Sequence, residues 1–450
     1  MTGIEPLREV HLNSSSARAV APIDCGGVPR PETTRNLVLR SRAKTVIFLA
    51  FVLFLFAIVG LKLSRHLQGT DFPDFYCAAR MILDGHGHQL YNSEFQHEYQ
   101  ARLAGGIGTL YAHPPFEAIL YFVVAWLPLE QAYLLWFVLN LAFLTLAVRR
   151  VTAEVLRCWD WRLALAASLT FAPVLLCLLQ GQDSLLFLLV VALAFSALRS
   201  ERAFAAGCWL GFGLCKFQIV LPLVLVLLLV RKSKSKSELA RGFGLVALAV
   251  ALFSAAISGW SVFMDYPRFL LSLQTHASSG VAPQVMANFR GLVYLLLHAD
   301  RSWASIAAVL ILSASALIKP LTEWRRAQTP VAQTPVDAHD SASMPSDFDI
   351  AFASTILFGL LVSYYLNPHD VSLLLLPLSV LLRFVAERIL RLSRPTDWIT
   401  VALLGALFLP PLHLWALKAH VYAIVAIPIL FLFLISGPGV ERGGPALVDT

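Results

Sequence analysis

Apolar and polar residues alternate along this chain in long blocks, without the short period of an amphipathic helix or strand. Residues 1–43 are polar, with Gly26-Gly27, four prolines and the run Asn13-Ser14-Ser15-Ser16. That composition predicts a disordered tail. Apolar blocks then follow at 44–63, 114–128, 131–148, 163–179, 184–198, 203–215, 217–230, 241–257, 304–318, 350–366, 370–388, 398–411 and 419–436. Blocks of about 15 to 20 apolar residues have the length that crosses a bilayer as a helix. The pattern therefore predicts an all-α polytopic membrane protein. The first block is too long for a signal-peptide core and no A-x-A site follows it, so it reads as a retained anchor.

Basic residues orient these blocks. Arg35, Arg40, Arg42 and Lys44 precede the first block, and further clusters lie at 149–162, 199–202, 231–241, 319–326 and 383–394. Lys and Arg gather on the cytoplasmic side. Loops 64–113, 180–183, 258–303, 367–370 and 412–418 then face outward. Parity holds only if 114–128, bounded by Pro114-Pro115 and Pro128, is a half-helix that packs on its neighbours without crossing. The stretch 203–230 has basic flanks on both sides, so it should go out and return, with Lys216 near the outer turn. About twelve crossings result. The expected layout is a cytoplasmic tail (1–43), a transmembrane domain (44–436) and a cytoplasmic tail (437–450). Within the domain lie outer loops 64–113 and 258–303 and a flexible cytoplasmic linker, 327–348, carrying an AQTPV repeat.

Composition agrees. Hydrophobic residues are 58% of the chain and charged residues 14%, against about 25% charged in soluble domains, and mean hydropathy is +0.70. Soluble enzymes, secreted disulfide scaffolds and nucleic-acid-binding modules are excluded. The net charge of +7 sits in short loops, where it sets orientation. The six cysteines, among them Cys25 and Cys158, form no CxxC or Cys/His ligand pattern.

Candidate chemistry concentrates in the first outer loop. It holds Asp71, Asp74, Asp84, Glu94 and Glu98 and five of the twelve histidines: His66, His86, His88, His97 and His113. Asp71 and Asp74, in G-T-D-F-P-D-F-Y, lie just past the first block, where partial desolvation strengthens a carboxylate as a general base. The plainer alternative is a pair of loop acids, or an N-cap to a helix starting at Phe75. G-H-G-H at 85–88 reads as exposed histidine in a turn, with metal binding the lesser alternative. Gln180-Gly181-Gln182-Asp183 is a polar turn between apolar blocks. Lys216 in G-L-C-K-F-Q either meets an anion or snorkels to the interface. In the second outer loop, with His276, Asn288 and Gly291, Arg290 either grips a phosphate or pairs with lipid headgroups. The turn Ser363 to Asp370 suits a hydroxylated ligand or an aromatic belt.

These segments in this order resemble glycosyltransferase family 87. They are D-F-P-D-F-Y-C-A-A-R, Y-A-H-P-P-F, L-P-L-E-Q-A-Y-L-L-W-F-V-L-N, L-Q-G-Q-D-S-L-L, a lysine after G-F-G-L-C, and N-F-R-G-L, spread over residues 60–436. The resemblance implies a GT-C-type fold of about twelve transmembrane helices, with juxtamembrane helices in the first outer loop. It implies a polyprenyl-phosphate-mannose-dependent transferase that moves a hexose directly, with inversion, to a lipid or glycan hydroxyl at the extracytoplasmic face of the cell membrane. By its place in the motif Asp71 would be the base, with Asp74 second and the D-x-x-D spacing leaving the choice open, and Lys216 and Arg290 would bind the donor phosphate. Tyr76, His113, Gln182, Asn288, Tyr365 and His369 would hold sugar or acceptor. No metal or other cofactor is called for, and the partners would be the lipid donor, the acceptor and membrane lipids, with no nucleic acid. Asp183 departs from the asparagine expected in the Q-G-Q turn. A transporter or lipid flippase, or a non-catalytic subunit of envelope assembly, would share the apolar blocks. The transporter would need ionisable groups at mid-depth on several helices, and Lys216 is the one strong candidate.

Overall fold

The computed structural model describes residues 32–106, 108–156, 159–273, 282–329, 346–389 and 395–435. The expectations for Cys25, Cys158, His276, tail residues 1–31 and 437–450 and linker residues 330–345 fall outside these, while residues 32–43, expected in the disordered tail, are helical. The chain divides into two compact units, residues 1–47 and 48–450, and the features below belong to the second. Among the described residues there are helices and no strand. The first long helix, α1 (Glu32–Leu63), precedes a group of short helices: α2 (Phe72–Leu83), α3 (Ser93–Ala104), α4 (Glu117–Leu120) and α5 (Phe122–Ala125). Then come α6 (Leu129–Glu154), α7 (Trp161–Thr170), α8 (Ala172–Gln180), α9 (Ser184–Arg199), α10 (Ala203–Phe212), α11 (Phe217–Val230), α12 (Ser233–Ser258) and α13 (Val262–Leu273). The last are α14 (Phe289–Leu297), α15 (Trp303–Gln328), α16 (Asp347–Val362), α17 (Leu375–Ile389), α18 (Pro395–Leu407), α19 (Pro410–Lys418) and α20 (Ala426–Ile435).

Long-range contacts sort the helix ends into two sets, lying at opposite ends of α9. At its C-terminal end, Arg199 bonds the Glu154 carbonyl (3.0 Å) and pairs with Asp349 (3.0 Å). Arg383 there bonds the Val155 carbonyl, and Gln328 bonds the Val230 carbonyl. The ends of α6, α11 and α15 and the start of α16 therefore meet, and each of the five internal basic clusters has described residues at or beside this end. At the N-terminal end of α9, Ser184 bonds Asp370 (2.7 Å) and Asp183 pairs with Lys216 (2.8 Å). Sixteen residues separate the two sets, about 24 Å at the α-helical rise.

Five continuous helical stretches are long and apolar enough to cross a membrane, or up to seven if two bent pairs each count once. One of the five, 203–230, contains two of the twelve apolar blocks expected to cross. The block at 163–179 is broken between α7 and α8 by 72°, and α18 and α19 meet at 67°; other blocks make helices shorter than a span. The stretch 203–230 is helical without interruption, yet it doubles back. Arg202 bonds Ala197 beside the C-terminus of α9, Lys216 reaches Asp183 at its N-terminus, and Val230 is again at the basic end. The reversal lies in a tight 3₁₀ segment, Gly213–Lys216. α10 and α12 then run side by side, since a Cβ on Gly207 would lie 2.2 Å from the Leu239 carbonyl and one on Gly242 2.1 Å from that of Phe204. Such small-residue contact is how helices approach closely in lipid.

Residues 114–128 do not run between the two ends. They form the single-turn helices α4 and α5, and Tyr121 bonds the Gly181 carbonyl (3.1 Å) while Tyr76 bonds that of Leu127 (2.9 Å). Many large apolar side chains are left exposed: Phe54 is 61% exposed on α1, and Leu310 and Ile311 63% and 65% on α15. Water does not favour such surfaces, and lipid does.

Candidate functional site

A cavity of about 370 Å³ opens at the end of the molecule opposite the basic clusters. Its polar lining comes from six separate segments: Asp71 and Asp74, Thr109 and His113, Gln180 and Gln182, Lys216, Tyr266, and the run Tyr364 to Asp370.

The Q-G-Q-D turn is the scaffold of this site. A helix C-terminus leaves its last carbonyls unbonded, and here buried side chains supply the donors. Tyr133 bonds Leu178 (3.1 Å), Tyr121 bonds Gly181, and Asn140 bonds Gln182 (3.0 Å). Tyr133, Trp136 and Asn140 share one face of α6 by their spacing, which explains part of the L-P-L-E-Q-A-Y motif. Gly181 adopts φ +68, and a Cβ there would lie 2.7 Å from Phe72. Held this way, Gln180 accepts the Asp71 N–H (2.9 Å) and Gln182 donates to the Asp71 carboxylate (2.5 Å).

The two aspartates separate. Asp71, ahead of α2, is half-buried at the cavity wall with its carboxylate aimed by Gln182. Asp74, one turn on, is buried and bonded by Gln100 (3.2 Å) and by Thr109. Burial pushes its carboxyl up to about 8, and the neighbouring Asp71 adds to this against the Thr109 hydroxyl. Asp74 thus carries a proton at neutral pH.

Lys216 is 1% exposed. Its ammonium lies 2.8 Å from Asp183, 3.6 Å from Asp370 and 3.8 Å from Glu117. Asp370 is bonded further by Ser184 and by the Asn367 N–H (3.1 Å). Glu117 also meets His113 Nδ1 at 2.9 Å. His369 is buried beside Asp370 (3.6 Å), and burial holds its imidazole below the usual range.

Of the residues singled out in the sequence, the cavity brings together Asp71, Asp74, His113, Gln182, Lys216, Tyr365 and His369. Three others stand behind it. Tyr76 is buried and spends its hydroxyl on Leu127. Asn288 caps α14 and donates to the Ser363 carbonyl (2.7 Å). Arg290 is occupied by Asp300 through two nitrogens (2.8 and 2.6 Å), donates to the Tyr364 carbonyl and stacks its guanidinium 4.3 Å from the Tyr364 ring. Asn288 and Arg290 hold the 363–365 backbone that presents Tyr364 and Tyr365. Sequence reasoning passed over Glu117, which it left inside an apolar block; a carboxylate in such a block was itself the signal. Among the described residues, no group of three His, Cys, Asp or Glu is arranged to hold a metal ion.

Comparison with known proteins adds one match. A family model described as Glycosyltransferase family 87 matches residues 111–336, just over half of the chain. No curated protein and no solved structure matches.

Proposed function

We propose that this chain, which belongs to glycosyltransferase family 87, transfers a hexose, mannose, from a polyprenyl-phosphate donor to a hydroxyl of a lipid or glycan acceptor. Family membership and the apolar helices make it a membrane glycosyltransferase. The observation that carries the finer reading is Asp71. Of the three carboxylates lining the cavity, Asp74 and Asp370 are buried and bonded away, while Asp71 is half-exposed and aimed by two glutamines.

In the reaction Asp71 takes the proton of the acceptor hydroxyl. The acceptor oxygen bonds to C1 of the sugar, and the bond from C1 to the phosphate oxygen breaks on the opposite side, inverting the centre. The polyprenyl phosphate leaves with the electron pair beside Lys216, and positive charge there is most useful as the leaving group gains charge. This route calls for no metal ion. Cys215 lines both the polar cavity and an apolar one of about 330 Å³ bounded by Phe116, Ile119, Phe212, Val246 and Phe253. That second surface suits the isoprenoid chain of the donor. With the basic clusters cytoplasmic, the cavity faces the extracytoplasmic side.

The test is transfer by membranes containing the protein, fed labelled polyprenyl-phosphate mannose and native lipid extract. Asp71→Asn should lose roughly a hundredfold or more in turnover, the scale of a general base, while keeping its unfolding profile. Near wild-type turnover in this variant would sink the assignment.

A further inference from the structure

We infer that Glu117, buried against His113, takes up a proton when an anionic phosphodiester settles beside Lys216, and so sets how tightly the donor is held. The inference rests on the lipid-phosphate donor proposed above.

Charge makes the case. Lys216 is one ammonium facing Asp183, Asp370 and Glu117, a net charge of −2 when all are ionised. A phosphodiester entering there meets repulsion, and in a dry site repulsion between charges is strong. One of the three carboxylates is placed to yield. Asp183 is closest to the ammonium and Asp370 has two further donors. Glu117 is fully buried, stands farthest from Lys216, and beyond His113 and Lys216 has no hydrogen-bond partner among the described residues.

The charged groups facing Glu117 are His113 from its own segment, Lys216 from the 3₁₀ turn and Asp183 from the cap of α9. The others are the Cys215 thiol and the phenols of Tyr91, Tyr111, Tyr121 and Tyr266. Burial raises all four phenols, so they stay neutral near pH 7. Burial raises Glu117 to about 7, His113 and Lys216 acting the other way. Glu117 therefore exchanges a proton within the working range of pH. Glu117 does not line the cavity; it is a positioning residue that acts through His113 and Lys216, both of which do.

Two measurements test this. In the transfer assay, the wild-type KM for the donor should climb by up to about tenfold for each pH unit above 7, as expected for one linked proton. In Glu117→Gln that climb should vanish, with KM at pH 8.5 below wild type and kcat changed less than KM. On purified wild-type protein, calorimetry with a polyprenyl methyl phosphodiester, run in buffers of different ionisation enthalpy, should show close to one proton taken up per ligand bound at pH 8.5 and none at pH 5.5. A parallel climb of KM in Glu117→Gln, or binding without proton uptake at pH 8.5, overturns the inference and leaves the transferase reading intact. Absence of both transfer and phosphodiester binding by the wild type overturns both.

Discussion

Asp71 and Asp74 are three residues apart and chemically unlike, because one stands at a cavity wall and the other is buried under Thr109 and Gln100. The raised Asp74 carboxyl has a consequence for stability. An acid at about 8 in the folded chain and near 3.8 when unfolded keeps its proton in the folded state while the unfolded state gives it up. The unfolded state thus binds fewer protons between these values, and stability falls as pH rises through that window. Asp74→Asn cannot ionise. Its unfolding midpoint in detergent should rise relative to wild type between pH 5 and pH 8.5, and a constant difference would show that Asp74 is ionised in the fold. The sequence made this pair visible as acids next to an apolar block, and the motif put Asp71 first, but the spacing itself could not rank them, because their environments come from Gln182, Thr109 and Gln100, brought in from distant positions. Glu117 shows the same limit. Its partners His113 and Lys216 are 4 and 99 positions away along the chain, and only the nearer one is a sequence neighbour.

At the level of helices, the legible part was composition and charge. The reversal of 203–230 follows from basic flanks on both sides, and the contacts of Lys216 and Val230 require it. The breaks inside apolar blocks were harder to see. Pro173 sits in the first turn of α8, and Pro410 and Pro411 open α19; a proline biases the residue before it out of helix. A count of apolar residues passes over such a break, so 163–179 looked like one straight span. The close approach of α10 and α12 was hidden too, since a glycine's value depends on what lies opposite. Gly242 faces the Phe204 carbonyl, and Gly244, two residues on, has open space. Gly242→Val should lower the unfolding midpoint and reduce transfer, while Gly244→Val should leave the midpoint within a degree or two. Equal effects would mean that helix propensity, rather than the contact, decides.

Over the whole molecule, charge and apolar surface are segregated. The internal basic clusters collect at one end, the carboxylates of the site at the other, and Leu, Ile and Phe are exposed along helices such as α1 and α15. A chain so built should stay in the membrane fraction after an alkaline wash that strips peripheral proteins, and should leave it only with detergent. Release by the wash alone would contradict an integral membrane protein.

The site also imposes an order on manufacture. Lys216 leaves the ribosome long before Asp370, with 153 residues between them. Until α16 has been inserted, its ammonium has Asp183 and Glu117 for company but lacks the third acid, and the pocket has no wall on that side. A nascent chain interrupted before residue 370 therefore carries an incomplete ionic cluster within the bilayer. The pocket is thus among the last parts of the chain to be completed, and a copy cut short before residue 370 has no closed site with which to meet a substrate.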